Sequence, residues 1–227
     1  RNQEALQLLR RGVAAGRRKY WTDSVEVFNF HLDFLLAESA AAWEHGGRRE
    51  RALKHAERAV AARRKDMGPR EDHKCILIHS LVTLSNCLST LGRNDEALMA
   101  AEEAVSIYTE NTPHMWGDLL YTIRKQELGA NAFHALSLRL VTSGKAQPAL
   151  LNAEKATELY RELVALAPRH LPTLASSLQN LGSIRWDVGR RDEAVAACEE
   201  AVGIMRKVSS PETYFLPALA EALEQLA

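Results

Sequence analysis

Three residues with metal-binding side chains lie close together in the sequence, at His73, Cys75 and His79. Protein zinc sites generally use four Cys, His or carboxylate ligands at fixed spacings. No fourth ligand accompanies this H-x-C-x3-H set. We therefore interpret the three as an exposed loop histidine, a half-buried cysteine and a histidine on a helix surface, and we predict no metal site.

Two pairs of acids, Glu102-Glu103 and Glu199-Glu200, are the nearest approach to a pair of catalytic carboxylates. General acid–base catalysis needs such groups beside a partner that tunes their pKa. No matching base lies near them in the sequence, so we predict solvated acids. Phosphate-binding, dinucleotide-binding, zinc-protease and nucleophile-elbow motifs are also absent from the sequence. We expect no enzyme activity, no cofactor and no small-molecule substrate.

Composition narrows the classes of partner. The 227 residues carry 29 Lys and Arg against 29 Asp and Glu, so net charge gives no case for nucleic acid or membrane binding. No apolar run reaches the roughly 18 residues that span a bilayer. Three scattered cysteines and no visible signal peptide favour a reducing, cytoplasmic setting. The start at Arg1 favours a fragment of a longer protein.

A fourteen-residue word occurs twice, 97 residues apart: GRNDEALMAAEEAV from Gly92 and GRRDEAVAACEEAV from Gly189. Ten of its positions are identical. Looser versions place a small anchor residue at Ala5, Ala52, Ala97, Ala149 and Ala194. A second small residue follows each anchor by seven positions, which puts both on one helix face. Spacings of 47, 45, 52 and 45 residues between anchors indicate a repeat architecture.

A second helix precedes each anchor from Ala52 onward. A glycine stands five residues before the anchor, where a helix can end in a left-handed conformation, at Gly47, Gly92, Gly144 and Gly189. Twelve residues before the anchor the side chain is always small, at Ala40, Ser85, Ser137 and Gly182. Each unit is thus predicted to be a hairpin of helix A, a glycine turn and helix B.

These hairpins predict an all-α fold, an α-α superhelix (solenoid) in which neighbouring units share a continuous core. We expect a single array over residues 1–227. Its parts are a partial first repeat at 1–20, repeats near 24–64, 76–108, 118–165 and 172–208, and a last helix A at 215–227, where the apolar pattern restarts.

The small residues 12 before, at and 7 after each anchor, with the glycine between, resemble the tetratricopeptide repeat (TPR). The strongest match is LASSLQNLGSIRWDVGRRDEAVAACEEAV, residues 174–202. The period is similar to that of the long variety, about 42–45 residues, found in kinesin light chains and in the tails of signal-transducing nucleotidases. The match is looser in the second repeat and around residues 108–130. This resemblance implies a protein-interaction scaffold.

The resemblance also implies which helix A side chains line a concave groove that binds a peptide or helix. These candidate partner-binding residues are Glu38, His45, His79, Thr83, Asn86, Asn131, His134, Gln179, Asn180, Ser183 and Trp186. The set is polar and nearly uncharged, which argues against a basic clamp for a terminal carboxylate. Asn180 is expected to hydrogen-bond peptide backbone. The register leaves open whether Trp186 faces the groove or, exchanged with Arg185, the core.

Two functional hypotheses follow from the sequence. The first is a scaffold that binds a protein or peptide in the groove. The alternative is a structural or self-associating segment of a larger signalling protein, such as a homo-oligomerisation arm, with no groove ligand of its own. Histidines at 45, 79 and 134 also suggest pH-sensitive binding, since the ordinary pKa of histidine is near 6.5.

Overall fold

The computed structural model of the protein describes residues 49–65, 71–110 and 119–208. These residues form α-helices and one 3₁₀ turn, and no strand occurs among them. The helices are α1 (Arg49–Lys65), α2 (Glu71–Thr90), α3 (Asn94–Glu110), α4 (Leu119–Thr142), α5 (Ala146–Leu166), α6 (Leu171–Asp187) and α7 (Arg191–Val208), with the 3₁₀ turn Pro168–His170 before α6. The all-α helical-repeat class predicted from the sequence is confirmed.

The helices pair as helix A and helix B of successive hairpins. Helices α2 and α3, α4 and α5, and α6 and α7 form three hairpins, and α1 lies where the sequence predicted helix B of the repeat at 24–64. The parts predicted at 1–20 and 215–227, and the helix A predicted before α1, lie outside the described residues. The chain divides into two compact units, unit 1 (Arg1–Ala104) and unit 2 (Val105–Ala227), and the division falls within α3.

The predicted glycine turns share one geometry. Gly92, Gly144 and Gly189 have φ of 75°, 70° and 82°, in the left-handed region that only glycine enters without strain. In each turn the glycine N–H and the next N–H donate to carbonyl oxygens of the last turn of helix A, at 2.8–3.0 Å. This is the Schellman type of helix end, and it turns the chain directly into helix B.

Small side chains bring the two helices of each hairpin together. The anchor residues Ala52, Ala97, Ala149 and Ala194 are 2% exposed or less. In unit 1 the hydroxyl of Ser85, twelve residues before its anchor, donates to the carbonyl oxygen of Ala97 at 2.8 Å. The repeated word therefore marks the contact between helix A and helix B, as its spacing predicted.

Unit 2 has a continuous apolar core that draws on α4, α5, α6 and α7, with members such as Phe133, Leu163, Leu178 and Met205. Tyr108, near the end of α3, closes one side of this core. Its ring meets Phe133 edge-on with centroids 5.8 Å apart, and it covers Gly129 so closely that a side-chain carbon there would lie 2.3 Å from the ring. A side chain at position 129 would therefore require the Tyr108 ring to move.

None of the described helices combines the length and the apolar character that a membrane span would need.

Gly182 on α6 and Cys198 on α7 also pack closely against each other. A methyl group on Gly182 would lie 2.7 Å from the Cys198 sulfur and 3.2 Å from the Ala194 carbonyl oxygen. The equivalent pairs in the preceding hairpins are Ser85 with Ala101 and Ser137 with Ala153, in which the larger residue is on helix A. The volume of the two residues is therefore shared differently in the last hairpin.

We predict that Gly182→Ala lowers the free energy of unfolding by about 1–2 kcal/mol, because overpacking outweighs the better helix propensity of alanine. Adding Cys198→Ala should recover most of that loss. Gly203→Ala, on α7, is the matched control: nothing lies within 4 Å of its new methyl group, so it should stabilise by about 0.5–1 kcal/mol. Urea denaturation measures all three. Equal effects of Gly182→Ala and Gly203→Ala would contradict this packing account.

Candidate functional site

Two asparagines predicted to bind a partner lie in unit 2, and each is held by a hydrogen bond. The Tyr160 hydroxyl, from helix B, donates to Asn131 Oδ1 at 2.5 Å. The amide oxygen of Asn131 is therefore occupied by this hydrogen bond. Its Nδ2 donates to no acceptor among the described residues. The side chain is half-buried. Asn131 is therefore fixed in orientation with two N–H donors to spare.

Asn180 is held in the opposite sense. Its Nδ2 donates to the Ser137 hydroxyl at 2.8 Å, and that hydroxyl donates to the carbonyl oxygen of His134 at 2.7 Å. This chain of hydrogen bonds joins α6 to α4, the two A helices of unit 2. Within the described residues the Oδ1 of Asn180 has no donor, so an acceptor and one N–H remain to be used. The two asparagines together offer both halves of what a peptide group requires.

His134 lies between these asparagines in the sequence and is a neutral imidazole. Burial, and secondarily the charge of Arg139, lowers its pKa from 6.5 to about 4. Its ring meets Tyr160 edge-on with centroids 6.4 Å apart. Its Nδ1 is buried and has no hydrogen-bond partner in the described part of the chain. The hypothesis that His134 makes binding pH-sensitive near neutral pH is thus wrong, because the ring stays uncharged there.

Trp186, near the end of α6, is 53% exposed. The guanidinium of Arg191 lies over its indole ring, 5.3 Å from the centroid, in a cation–π arrangement. The neighbouring Arg185 is turned inward, and its side chain is only 20% exposed. The exchange of Trp186 and Arg185 that the sequence left open does not occur, and Trp186 is outside the core.

Arg185 is turned inward because acids surround it. Its guanidinium lies 3.4 Å from Glu154 Oε1 on α5 and 3.7 Å from Glu193 Oε2 on α7. A charged group can leave water when such partners replace the lost hydration. Arg185 therefore lies between the helices, and the next residue, Trp186, is left exposed.

The remaining candidates of unit 2 differ in exposure. Gln179 is half-buried, whereas Ser183 is exposed on α6 one turn before Trp186. On α4 the residue at the register of Trp186 is Val141, also exposed. The two A helices of unit 2 thus present apolar side chains at one equivalent position and amides on the preceding turns.

The candidates of unit 1 lie on α2. His79 and Thr83 are half-buried, and the Thr83 hydroxyl donates to the carbonyl oxygen of His79 at 3.0 Å. Asn86 is exposed. Glu38 and His45 lie outside the described residues. Within unit 1 the predicted surface is therefore represented by α2 alone.

The expectation that the paired acids have no matching base nearby is wrong for Glu103 and Glu200. Glu103 pairs with Arg64 at 2.5 Å, and Glu200 pairs with Arg161 at 2.6 Å. Each base comes from the helix B of the preceding hairpin, 39 positions earlier, so no local search of the sequence finds it. Glu102 and Glu199 are exposed, as predicted. Glu103 and Glu200 therefore form ion pairs between hairpins.

The described part of the chain holds no cluster of three or more His, Cys, Asp or Glu side chains placed to bind a metal ion. Cys87 and Cys198 are buried within the described residues. Sequence reasoning missed Tyr160 and Ser137, which orient the asparagines. A polar residue at a position otherwise reserved for packing was the available signal for Ser137.

Comparison with known proteins defines the class. Residues 78–111 and residues 174–213 each match a family model of the tetratricopeptide repeat. These stretches cover most of the α2–α3 hairpin and of the α6–α7 hairpin. No curated protein matches the chain.

Solved structures extend the likeness over the whole fold. BtubC (BKLC) from P. vanneervenii superposes with a TM-score of 0.72 at 20% identity, covering 99% of this chain and 81% of that one. A putative kinesin light chain from Podosopora anserina, with nearly identical TPR-like repeats, superposes with a TM-score of 0.62 at 19% identity, covering 87% and 84%. The chain thus contains tetratricopeptide repeats, at residues 78–111 and 174–213, and its fold is similar to that of the kinesin light chain repeats. Such repeats generally mediate protein–protein interactions and are typically non-catalytic scaffolds.

The lowered pKa of His134 predicts a specific pH dependence of stability. Between pH 6.5 and 4 the unfolded chain takes up a proton at this residue and the folded chain does not. The contribution is fully present above pH 6.5 and is lost as the pH falls toward 4. At pH 5 the stability lost in this way should amount to about 1–2 kcal/mol.

Urea denaturation of the protein and of His134→Gln at pH 7.5 and pH 5.0 measures this contribution. The stability lost between the two pH values should be smaller in the variant by that amount. His55→Gln, on α1, is the control for the general effect of removing a histidine. An identical loss in the protein and in His134→Gln would show that His134 titrates normally.

Proposed function

We propose that the A-helix surface of unit 2 binds an extended, uncharged segment of a partner protein. The observation that carries the proposal is that the two asparagines use opposite ends of their amides internally. The bond from Tyr160 leaves the N–H donors of Asn131 available, and the bond to Ser137 leaves the Oδ1 acceptor of Asn180 available. Both are held by hydrogen bonds before any ligand arrives. Pre-oriented groups lose less entropy on binding, so they contribute more of their interaction to affinity.

Electrostatics supports an uncharged segment. The candidate binding residues on α4 and α6 are Asn131, His134, Gln179, Asn180, Ser183 and Trp186, and none of them carries a charge at neutral pH. Arg139 on α4 is buried, and burial lowers its pKa. A terminal carboxylate would meet no exposed base among these residues, so we propose peptide backbone and neutral side chains as the ligand.

Trp186 supplies the apolar anchor of this proposed surface. Exposed tryptophans are frequent hot spots in interfaces because a single side chain buries a large area at little entropic cost. The guanidinium of Arg191 lies over one face of the indole, 5.3 Å from the ring centroid. An apolar side chain of the partner would pack on Trp186 while its backbone contacts Asn180, about two turns earlier on α6, and Asn131, about three turns earlier in register on α4.

The alternative is self-association through the B helices. Leu151 on α5 and Met99 on α3 are 68% and 67% exposed, and an exposed apolar side chain can contribute to a contact between copies. Each stands two residues after its anchor, so both occupy the same register. This observation favours a test in which the two surfaces are varied separately.

We predict that Asn180→Ala/Trp186→Ala, in the full chain, loses capture of partner proteins from the native cell lysate by at least about tenfold, as expected for loss of a hot spot. Met99→Ala/Leu151→Ala is the control, because it removes equally exposed apolar side chains from the B helices. Circular dichroism checks that both variants keep their helices.

Retention of every captured protein by Asn180→Ala/Trp186→Ala would overturn the proposed surface. Capture of copies of the chain alone, lost in Met99→Ala/Leu151→Ala, would instead establish the self-association alternative. Size-exclusion chromatography with light scattering gives the oligomeric state of each variant independently of the lysate.

A further inference from the structure

The two units contain the same set of ion pairs, displaced by 97 residues: one local pair at the start of a helix B and two pairs to the preceding helix B. In unit 1 Arg93 makes two hydrogen bonds to Glu96, at 2.6 and 2.5 Å, and lies 3.8 Å from Glu57. In unit 1 also, Arg64 pairs with Glu103. All five residues have equivalents in unit 2.

In unit 2 Arg190 makes two hydrogen bonds to Glu193, at 2.6 and 2.5 Å, and its third nitrogen lies 3.1 Å from Glu154. Arg161 pairs with Glu200. Every contact of unit 1 is thus reproduced by the residues 97 positions later. A set of five side chains in the same arrangement twice is a property of the interface between hairpins and not a chance surface contact.

The set has two complementary halves. The earlier hairpin contributes a Glu five residues after its anchor and an Arg seven residues later, which lie on one face of helix B. The later hairpin contributes an Arg, a Glu three residues on and a second Glu ten residues on. We call the Glu and Arg of the earlier hairpin the trailing pair, and the Arg, Glu and Glu of the later hairpin the leading triad.

A third trailing pair is present on α7. Glu199 and Arg206 stand five and twelve residues after the anchor Ala194, as Glu154 and Arg161 do after Ala149. Both are exposed, and neither makes an ion pair or hydrogen bond in the described part of the chain. The pair is not a general feature of helix B, because α3 has Thr109 in place of the Arg.

We propose that Glu199 and Arg206 form a docking surface for a helical hairpin whose second helix carries a leading triad: Arg, Glu three residues later and Glu ten residues later. Charge complementarity argues for this occupant, since both other trailing pairs in the described residues meet such a triad. A folded second copy of the chain is not the occupant, because its own triads, at Arg93 and at Arg190, are already paired within their units.

The order of charges gives the surface orientation as well as affinity. The acid of the trailing pair precedes its base, so a hairpin docked in the reverse direction would place like charges together. Exposed ion pairs add modest affinity, but like-charge contacts are effective at excluding wrong registers. The surface lies on helix B and does not depend on the groove proposed for the A helices.

The test uses the full chain as receptor and a synthetic peptide of residues 171–208 as probe, labelled with fluorescein. This peptide supplies a leading triad, at Arg190, Glu193 and Glu200, without the trailing pair Glu154 and Arg161 that it contacts in the full chain. Fluorescence anisotropy at low salt measures its dissociation constant. Arg206→Glu in the receptor should weaken binding about three- to tenfold, because attraction to Glu200 of the probe becomes repulsion.

Rescue makes the test specific. A probe with Glu200→Arg should bind the Arg206→Glu receptor within about twofold of the original pair, since the attraction is restored with its signs exchanged. Lys207→Glu in the receptor, an equal charge change one position away, should alter binding by less than about twofold. Absence of saturable binding, or equal weakening by Arg206→Glu and Lys207→Glu without rescue, would overturn the docking surface.

Discussion

The close approach of helix A to helix B in each hairpin is the constraint on which the rest of the structure depends. Anchor alanines with almost no exposed surface set the distance between the helices, and a glycine with positive φ sets the turn that brings them together. A larger anchor side chain would separate the helices and open the apolar core, at a cost that depends on how far the site can relax. The fourteen-residue word recurs within the chain because both of its hairpins need the same close contact between helix A and helix B.

Packing on the inner face leaves the other faces of the helices for interactions. On the A helices these faces carry amides, hydroxyls and Trp186, and the hydrogen bonds from Tyr160 and Ser137 fix the two asparagines. On the B helices α1 and α5 the outward positions carry an acid and a base that pair with the next hairpin. The two faces therefore have different chemistry: neutral hydrogen bonding on one and matched charges on the other.

Much of this fold could be predicted from the sequence, because its signals are local. The glycine turns, the anchor alanines and the small residues twelve positions before them recur at fixed offsets within one hairpin. The long-range contacts could not be predicted in the same way. Arg161 and Glu200 are 39 residues apart, and Tyr160 and Asn131 are 29 apart, so neither pair is visible until the hairpins are stacked.

The properties of the candidate site were also set by tertiary environment. The type and position of His134 suggested a residue that titrates near neutral pH, whereas burial between helices lowers its pKa to about 4. The choice between Arg185 and Trp186 depended on Glu154 and Glu193, which belong to other helices. A sequence pattern identifies which residues are candidates, but the neighbours that decide charge and exposure come from elsewhere in the chain.

Site-specific photo-crosslinking would test the central claim, that a partner lies on the A helices of unit 2. A photoreactive amino acid is placed at Ser183 on α6 or at Leu151 on α5, two exposed positions on opposite kinds of helix. The proposed surface predicts crosslinks to a partner protein from position 183 and none from position 151. Crosslinks to that partner from position 151 and none from position 183 would contradict it.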